Sequence, residues 1–210
     1  MYNGEAWDKV YMKHLHDAPW MTDACINIYS HIIDKYLPNE LATLRVLDYG
    51  CGSGKLTYRL KQKGAFVDLA EISRYIIDWL KQKYKNCGVN IYEVEYPQQL
   101  SMVEPYDIIL AWMFFCNISP DLWDKFLCGF YEIMKPGACL IIGGWDEEDS
   151  VNKNNGFIIP FTNQRAWPIN TLRYRLGKKF EAIYDEKILI DHPFYKEPRT
   201  FRCFKLNRNY

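Results

Sequence analysis

The chain has 210 residues, 49% of them hydrophobic and 25% charged, which suits one α/β domain with a core large enough to need no staples. Its 26 basic side chains balance 26 acidic ones, so no net field recruits a phosphate backbone or an anionic membrane, and nucleic acid is not an expected partner. The 7 cysteines never form Cys-x-x-Cys, the first residues lack a secretory pattern, and no apolar run nears the ~20 residues of a membrane span; a reduced, cytoplasmic protein with no membrane partner is expected.

Residues 1–21 carry Trp7, Tyr11 and Trp20 with little apolar periodicity. Aromatics so placed suit a cover that closes over a ligand, with a plain packing arm as the alternative. Residues 22–37 put Ile26, Tyr29, Ile32, Ile33 and Tyr36 on one helical face, and Pro38 stops the helix. Residues 1–37 are thus a lid and a helix, residues 38–210 the core, and the whole one domain.

Arg45-Val46-Leu47-Asp48-Tyr49 is a short apolar run ending at a glycine cluster, the mark of a buried strand. A helix follows from about Lys55 to Lys63, closed by Gly64. Ala65 to Ala70 reads as a strand, and Ser73 caps a helix whose apolar face is Ile76, Ile77, Leu80 and Tyr84. Val89–Val94 and Tyr106–Trp112 are further strands. Pro120 opens a helix with Trp123, Phe126, Leu127, Phe130 and Met134 inward, and Lys135-Pro136-Gly137 ends it. Ala138–Gly144 is the next strand, Pro168–Leu176 a shorter helix, and residues 181–190 and 200–206 two last strands without a helix between them. Residues 145–167 follow neither period, as functional or mobile loops do. Seven strands with these intervening helices imply an α/β three-layer sandwich: a mainly parallel, Rossmann-like sheet with a terminal antiparallel hairpin.

The sharpest signal is Val46-Leu47-Asp48-Tyr49-Gly50-Cys51-Gly52-Ser53-Gly54, after a strand and opening a helix. Such glycines let the chain turn tightly and let a ligand approach the backbone, although a bare structural turn uses them too. A dinucleotide fingerprint would place its third glycine at position 55, which is Lys55, and no Gly-Lys-Ser/Thr closes a P-loop. Asp48 would repel a pyrophosphate but suits a ligand carrying an amino group. Glu71 ends the second strand, 17 residues after Gly54. A carboxylate there can accept both hydroxyls of a ribose, or simply favour the following helix N-terminus. Asp68 competes for the ribose role only if the strand ends sooner.

With these residues the chain resembles class I S-adenosylmethionine-dependent methyltransferases, from about residue 20 to the end. Residues 46–54 match that family's first motif, hydrophobic-Leu-Asp-x-Gly-x-Gly-x-Gly, throughout. The resemblance implies S-adenosylmethionine as cofactor, held by Asp48, Gly50, Cys51, Gly52 and Gly54. It implies further that Glu71 and Ile72 lie at the ribose, Glu95 or Tyr96 against the adenine, and Ala111 and Trp112 near the methionyl end. Locally, Phe114-Phe115-Cys116, with Trp7-Asp8 and Pro19-Trp20, resembles the thiopurine S-methyltransferase-like branch. Gly143-Gly144-Trp145-Asp146 departs from that branch.

Aromatic faces near a sulfonium attract it, and the candidates are Tyr11, Trp20, Trp112, Phe114, Phe115 and Trp145. Tyr11, Trp20, Phe115 and Trp145 are taken as the substrate pocket, although core packing accounts equally for Phe114 and Phe115. His14, His16, Asp23 and Asp146 can each be imagined as a base, but none stands out, so the catalytic residues stay unassigned. His14-x-His16 without further ligands makes no metal site. The expected function is methyl transfer to a small molecule. The alternatives are a methyltransferase acting on RNA or protein, disfavoured by zero net charge and the lack of an Asn/Asp-Pro-Pro-Tyr/Phe motif, and a non-catalytic module that kept the pocket. The accepting atom and the oligomeric state are left open.

Overall fold

A computed structural model describes residues 3–15, 26–149, 157–158, 165–190 and 198–209. Five parallel strands form the centre of its sheet: β1 (Arg45–Tyr49), β2 (Phe66–Glu71), β3 (Asn90–Glu93), β4 (Tyr106–Trp112) and β5 (Met134–Trp145). Strands β8 (Phe180–Ile190) and β9 (Arg199–Arg208) form an antiparallel hairpin, with β9 against β5. The order across the sheet is β3-β2-β1-β4-β5-β9-β8. Apart from it, β6 (Phe157–Ile158) pairs with β7 (Arg165–Ala166).

The helices are α1 (Gly4–His14), α2 (Ile26–Tyr36), α3 (Lys55–Gln62), α4 (Arg74–Lys83) and α5 (Trp123–Ile133). The chain builds from β1 out to β3, then returns to the other side of β1 with β4 and β5. Right-handed crossovers therefore put α3 and α4 on one face and α5 on the other, giving three layers. The reversal between β1 and β4 opens a crevice at the carboxyl ends of those strands, where ligands of such sheets bind.

Local chemistry explains the elements. Ser73 Oγ accepts from the Ile76 N–H at 3.3 Å, capping α4, and Gly64 takes a left-handed φ of +88° just past α3. On the α5 face, Tyr49 stands edge-on to Phe130 at 4.9 Å and to Phe114 at 5.0 Å. Trp123, Phe115, Phe126 and Phe130 are fully buried around them. Each such side chain contributes about 1.5–3 kcal/mol.

Helix α1 and the β6–β7 pair lie within residues 1–21 and 145–167, where no regular element is expected, and three expected elements take another form. Strand β5 begins at Met134, straight out of α5, rather than at Ala138. A register shift between Tyr106 and Ile108 accommodates Lys135-Pro136-Gly137, since proline is tolerated in a sheet where a bulge interrupts the ladder. In place of a helix over Pro168–Leu176, a 3-10 helix spans Asn170–Arg175. Its Asn170 side chain is committed to Asp146 and to the Glu147 N–H, which ties this segment to the end of β5. The third strand is also shorter at both ends than Val89–Val94. No helix among the described residues is long and apolar enough to cross a membrane.

Candidate active site

The glycine turn sits at the end of β1. Its backbone is held from below, with Gly50 N–H and Cys51 N–H both donating to the Ala70 carbonyl at 2.9 and 3.3 Å. Gly50, Gly52 and Gly54 all have positive φ, at 68°, 51° and 67°. Their surroundings separate their roles. A Cβ on Gly50 would meet the Phe114 ring at 2.8 Å, and one on Gly54 would meet Tyr84 and Leu80 at 3.0–3.1 Å. Those two glycines serve packing as well as conformation. Among the described residues, a Cβ on Gly52 would meet only the Tyr11 hydroxyl, at 3.3 Å. Gly52 is thus the one of the three whose surroundings leave room beside the backbone.

Two buried carboxylates flank this turn on one face of the sheet. Asp48 pairs in register with Leu69 of β2, and Glu71 lies two residues on, so both point the same way. Asp48 is 3% exposed, and its Oδ2 finds no hydrogen-bond partner among the described residues. Burial, reinforced by the charge of Glu71, pushes its carboxyl up to about 7. Glu71 Oε1 accepts from the N–H groups of Ile72 and Ser73 at 2.8 and 3.2 Å, and Oε2 from Gly52 N–H at 3.0 Å. Burial raises its pKa, and those three donors work against the rise.

Asp68 belongs elsewhere. It accepts from Arg45 at 2.5 Å, Asn90 at 2.8 Å and Tyr106 at 3.0 Å, a network away from the glycine turn.

Of the other candidate cofactor residues, Ile72 is half-buried beside Glu71. Glu95 is exposed, with its carbonyl accepting from Tyr49 at 3.3 Å. The Tyr96 ring is tilted against Phe126 at 5.3 Å with the Lys125 ammonium 3.1 Å from its centroid, and Gln99 Oε1 accepts from the N–H groups of both 95 and 96. Ala111 is fully buried. Its neighbour Trp112 ends β4, but its ring leans away from the glycine turn, across Gly143 of β5, toward Phe201 at 6.0 Å.

For the expected substrate pocket, Tyr11 is brought to the glycine turn and Trp145 stacks on Phe201 at 4.7 Å. Phe115 is corrected: it is fully buried, rings with Trp123 and Phe130, and belongs to the core. Phe114 likewise packs below Gly50. The Phe-Phe-Cys segment is therefore explained by packing and carries no argument for a particular branch. Asp146 is fully buried and bonded to Asn170, so it cannot meet a substrate as a base. His14 is buried on α1. Trp20, His16 and Asp23, with Pro19, lie outside the described residues.

Some residues near the site escaped sequence reasoning. Asp8 Oδ1 accepts from Ser73 Oγ at 2.5 Å and Tyr75 N–H at 3.0 Å, docking α1 onto the start of α4. Lys83 donates to the Ser53 carbonyl at 2.8 Å and Tyr84 to the Gly54 carbonyl at 2.7 Å, bracing the turn from behind. Met113 adopts a left-handed φ of 58°, held by its N–H to the Gly143 carbonyl at 2.7 Å and by Cys116 and Asn117 donating to its own carbonyl. No local sequence signal marks a long-range contact of this kind.

Residues 21–188 match the methyltransferase domain family. The chain belongs to that family. Its fold is that of the class I S-adenosylmethionine-dependent superfamily. The methyltransferase superposes on the N-methyltransferase NodS of Bradyrhizobium japonicum, solved with S-adenosylhomocysteine, at a TM-score of 0.72 and 14% identity, over 97% of this chain and 100% of that one. It is 28% identical over 159 residues to a ribosomal protein L11 methyltransferase of Nitratiruptor, covering 74% of this chain and 52% of that relative. It is 22% identical to a tRNA N(3)-methylcytidine methyltransferase of Schizosaccharomyces pombe, over 94% of this chain and 71% of that relative. The methyltransferase thus spans about half the length of the first of these relatives.

Proposed function

We propose that this methyltransferase moves the methyl group of S-adenosylmethionine to a small molecule. The observation that carries the cofactor reading is the buried Asp48 carboxyl, whose Oδ2 has no partner within the described protein. A buried acceptor without a donor is costly, and the ammonium of a methionyl end is the donor that suits it. Two further features fit the same ligand. Gly52 leaves a cradle that a side chain would fill, and Glu71 Oε2 keeps one lone pair beyond its bond to Gly52 for a ribose hydroxyl. Tyr96 and Glu95 remain the proposed neighbours of the adenine.

When bound, S-adenosylmethionine supplies an electrophilic methyl group, so the protein need not generate a strong acid or a metal-bound nucleophile. The chain's own task is to hold donor and acceptor in line and to exclude water, for which well-oriented sites gain about 7–11 kcal/mol. Helix α1 supports the second role. It is pinned to α4 through Asp8, it lays Gly4 against the Ile72 carbonyl, and it sets Tyr11 over Gly52 with Trp7 beside it at 5.9 Å. A cover built this way suits a ligand small enough to be enclosed.

Balanced charge supports a small acceptor over a polyanion. The alternative, RNA or a ribosomal protein, is favoured by the substrates named in two relatives. Titration calorimetry with S-adenosylhomocysteine, followed by transfer from labelled S-adenosylmethionine to small thiols, amines and carboxylates and to total RNA, tests both readings. Label entering RNA alone overturns the small-molecule assignment.

A further inference from the structure

Helix α1 does more than lie over the crevice. Gly4, Asp8 and Tyr11 are spaced four and three residues apart, so they share one face of the helix, and that face meets both turns of the site. The Tyr11 hydroxyl stands over Gly52 in the turn after β1. Gly4 and Asp8 come down on residues 72–75, the turn after β2. A Cβ on Gly4 would lie 2.7 Å from the Ile72 carbonyl oxygen, so the close approach of α1 needs a glycine there.

Within that turn, one residue links Asp8 to Glu71. The Ser73 hydroxyl donates to Asp8 Oδ1 at 2.5 Å and accepts from the Ile76 N–H at 3.3 Å, while the Ser73 N–H donates to Glu71 Oε1 at 3.2 Å. Asp8 Oδ1 also accepts from the Tyr75 N–H at 3.0 Å, an amide that the first turn of α4 cannot pair by itself. Asp8 thus fixes the turn from the α1 side, and the Ile72 and Ser73 N–H groups of the turn fix Glu71 Oε1. With Oε1 so occupied, Oε2, bonded to the Gly52 N–H, is the oxygen left for a ligand. The effect is directional rather than electrostatic. Burial raises the Glu71 carboxyl and the charge of Asp8 adds to that rise, so Asp8 helps through its oxygen and against its charge.

Resting on the ribose role read above for Glu71, we propose that Asp8 is a positioning residue for the cofactor: through Ser73 it holds the Glu71 carboxylate so that Oε2 meets a ribose hydroxyl. A ligand-holding group serves only within about 0.5 Å of its working place, and the residues that pack and bond behind it set that place. The consequence falls on the ribose hydroxyls rather than on the whole ligand, which separates this role from that of a cover.

The test compares S-adenosylhomocysteine with its 2′,3′-dideoxy form by calorimetry on the full chain. The parent should prefer the hydroxylated ligand roughly tenfold or more. Asp8→Ala should cut that preference roughly fivefold, the worth of one ordinary hydrogen bond. Asp8→Asn, whose amide oxygen still accepts from Ser73 and Tyr75, should restore it. Asn3→Ala is the control: it removes the side chain that accepts from the Glu5 N–H at 2.8 Å, loosening α1 without touching the turn, and should leave the preference as in the parent. Ser73→Ala breaks the same link from its other end and should narrow the preference as Asp8→Ala does, which keeps the test valid should Asp8→Ala fold poorly. A preference unchanged in either of those folded variants, narrowed as much by Asn3→Ala, or not restored by Asp8→Asn overturns the positioning role and leaves the ribose reading standing. No preference in the parent overturns the ribose role of Glu71, and the proposal with it. Absent S-adenosylhomocysteine binding overturns the cofactor reading beneath both.

Discussion

Asp48→Asn should separate what the site costs the fold from what it gives the ligand. Burial, with a contribution from Glu71, moves the Asp48 carboxyl from 3.8 to about 7. Its folded pKa lies above its unfolded one, so the native state holds a proton that the unfolded chain releases. Stability therefore falls as pH climbs from about 4 to 7, and the full penalty is present above 7. At 1.36 kcal/mol per pKa unit, the bound on that penalty is about 4 kcal/mol. Relaxation around buried charges reduces such figures, and about 1–3 kcal/mol is the expected observable. Asparagine keeps the shape and removes the charge. The ligand-free variant should be more stable than the parent at pH 8, by roughly 2–4 °C in Tm per kcal/mol, and the gain should shrink by at least half at pH 5. Affinity for S-adenosylhomocysteine should move the other way. A lost charge-assisted hydrogen bond is worth about 1.5–3 kcal/mol, or roughly 10–150-fold. Thermal melts at the two pH values and calorimetry at pH 8 supply both numbers. A variant less stable at pH 8, or one that binds the ligand as well as the parent, would refute the reasoning.

Gly52→Ala forces a Cβ into a φ of +51° and to within 3.3 Å of the Tyr11 hydroxyl. Calorimetry should show affinity for S-adenosylhomocysteine reduced tenfold or more while circular dichroism stays unchanged; undiminished affinity removes Gly52 from the site. Glu71→Ala should weaken ligand binding and also cost stability, because it leaves the Gly52, Ile72 and Ser73 N–H groups unpaired. Asp68→Ala should cost stability with little effect on affinity, since it removes the acceptor shared by Arg45, Asn90 and Tyr106, and the opposite ranking of the two affinities would move the ribose site. Affinity for S-adenosylhomocysteine should rise with pH up to about 7, by as much as tenfold per unit, as Asp48 ionises, and then level off. A profile flat from pH 5 to 8 counts against Asp48 as the partner of the amino group.

The fold was legible because its signals are local. Strand β1 and the glycines after it, the Ser73 cap, and the late hairpin are each announced by a run of neighbouring residues. Boundaries failed where tertiary bonds override local signals. Lys135-Pro136-Gly137 reads as a helix stop and a loop, yet Lys135 reaches Asp107 at 2.9 Å and the segment joins β5 through a bulge. Asn170 reads as part of a short helix, yet its side chain serves Asp146. Within the site, residue types alone could not tell core from pocket. Phe115 and Trp145 are both aromatic residues near the end of a parallel strand, and only packing sends one to Trp123 and the other onto Phe201. Phe201 itself lies 89 residues after Trp112, and nothing local to either announces their contact.

The sequence alone left two readings of the glycine turn, a structural bend or a ligand site, and the surrounding energetics distinguish them. A bend that served the fold would need Gly50, whose Cβ would strike Phe114, and Gly54, whose Cβ would crowd Tyr84 and Leu80. Gly52 serves the bend through its φ of +51°, yet among the described residues its Cβ position meets nothing except the Tyr11 hydroxyl. A bend would not need an aspartate at 48, since a buried carboxyl with an unsatisfied oxygen lowers stability at neutral pH where a leucine would raise it. A second unfavourable feature, the left-handed Met113, stands across the crevice at the end of β4. Such backbone strain costs of order 1–3 kcal/mol and persists only where surrounding bonds hold it, as Gly143, Cys116 and Asn117 do here. Two locally unfavourable choices, Asp48 and Met113, gather at the one place where the strand order reverses. Folding alone does not account for Asp48, and a cationic ligand seated between β1 and β4 accounts for it directly.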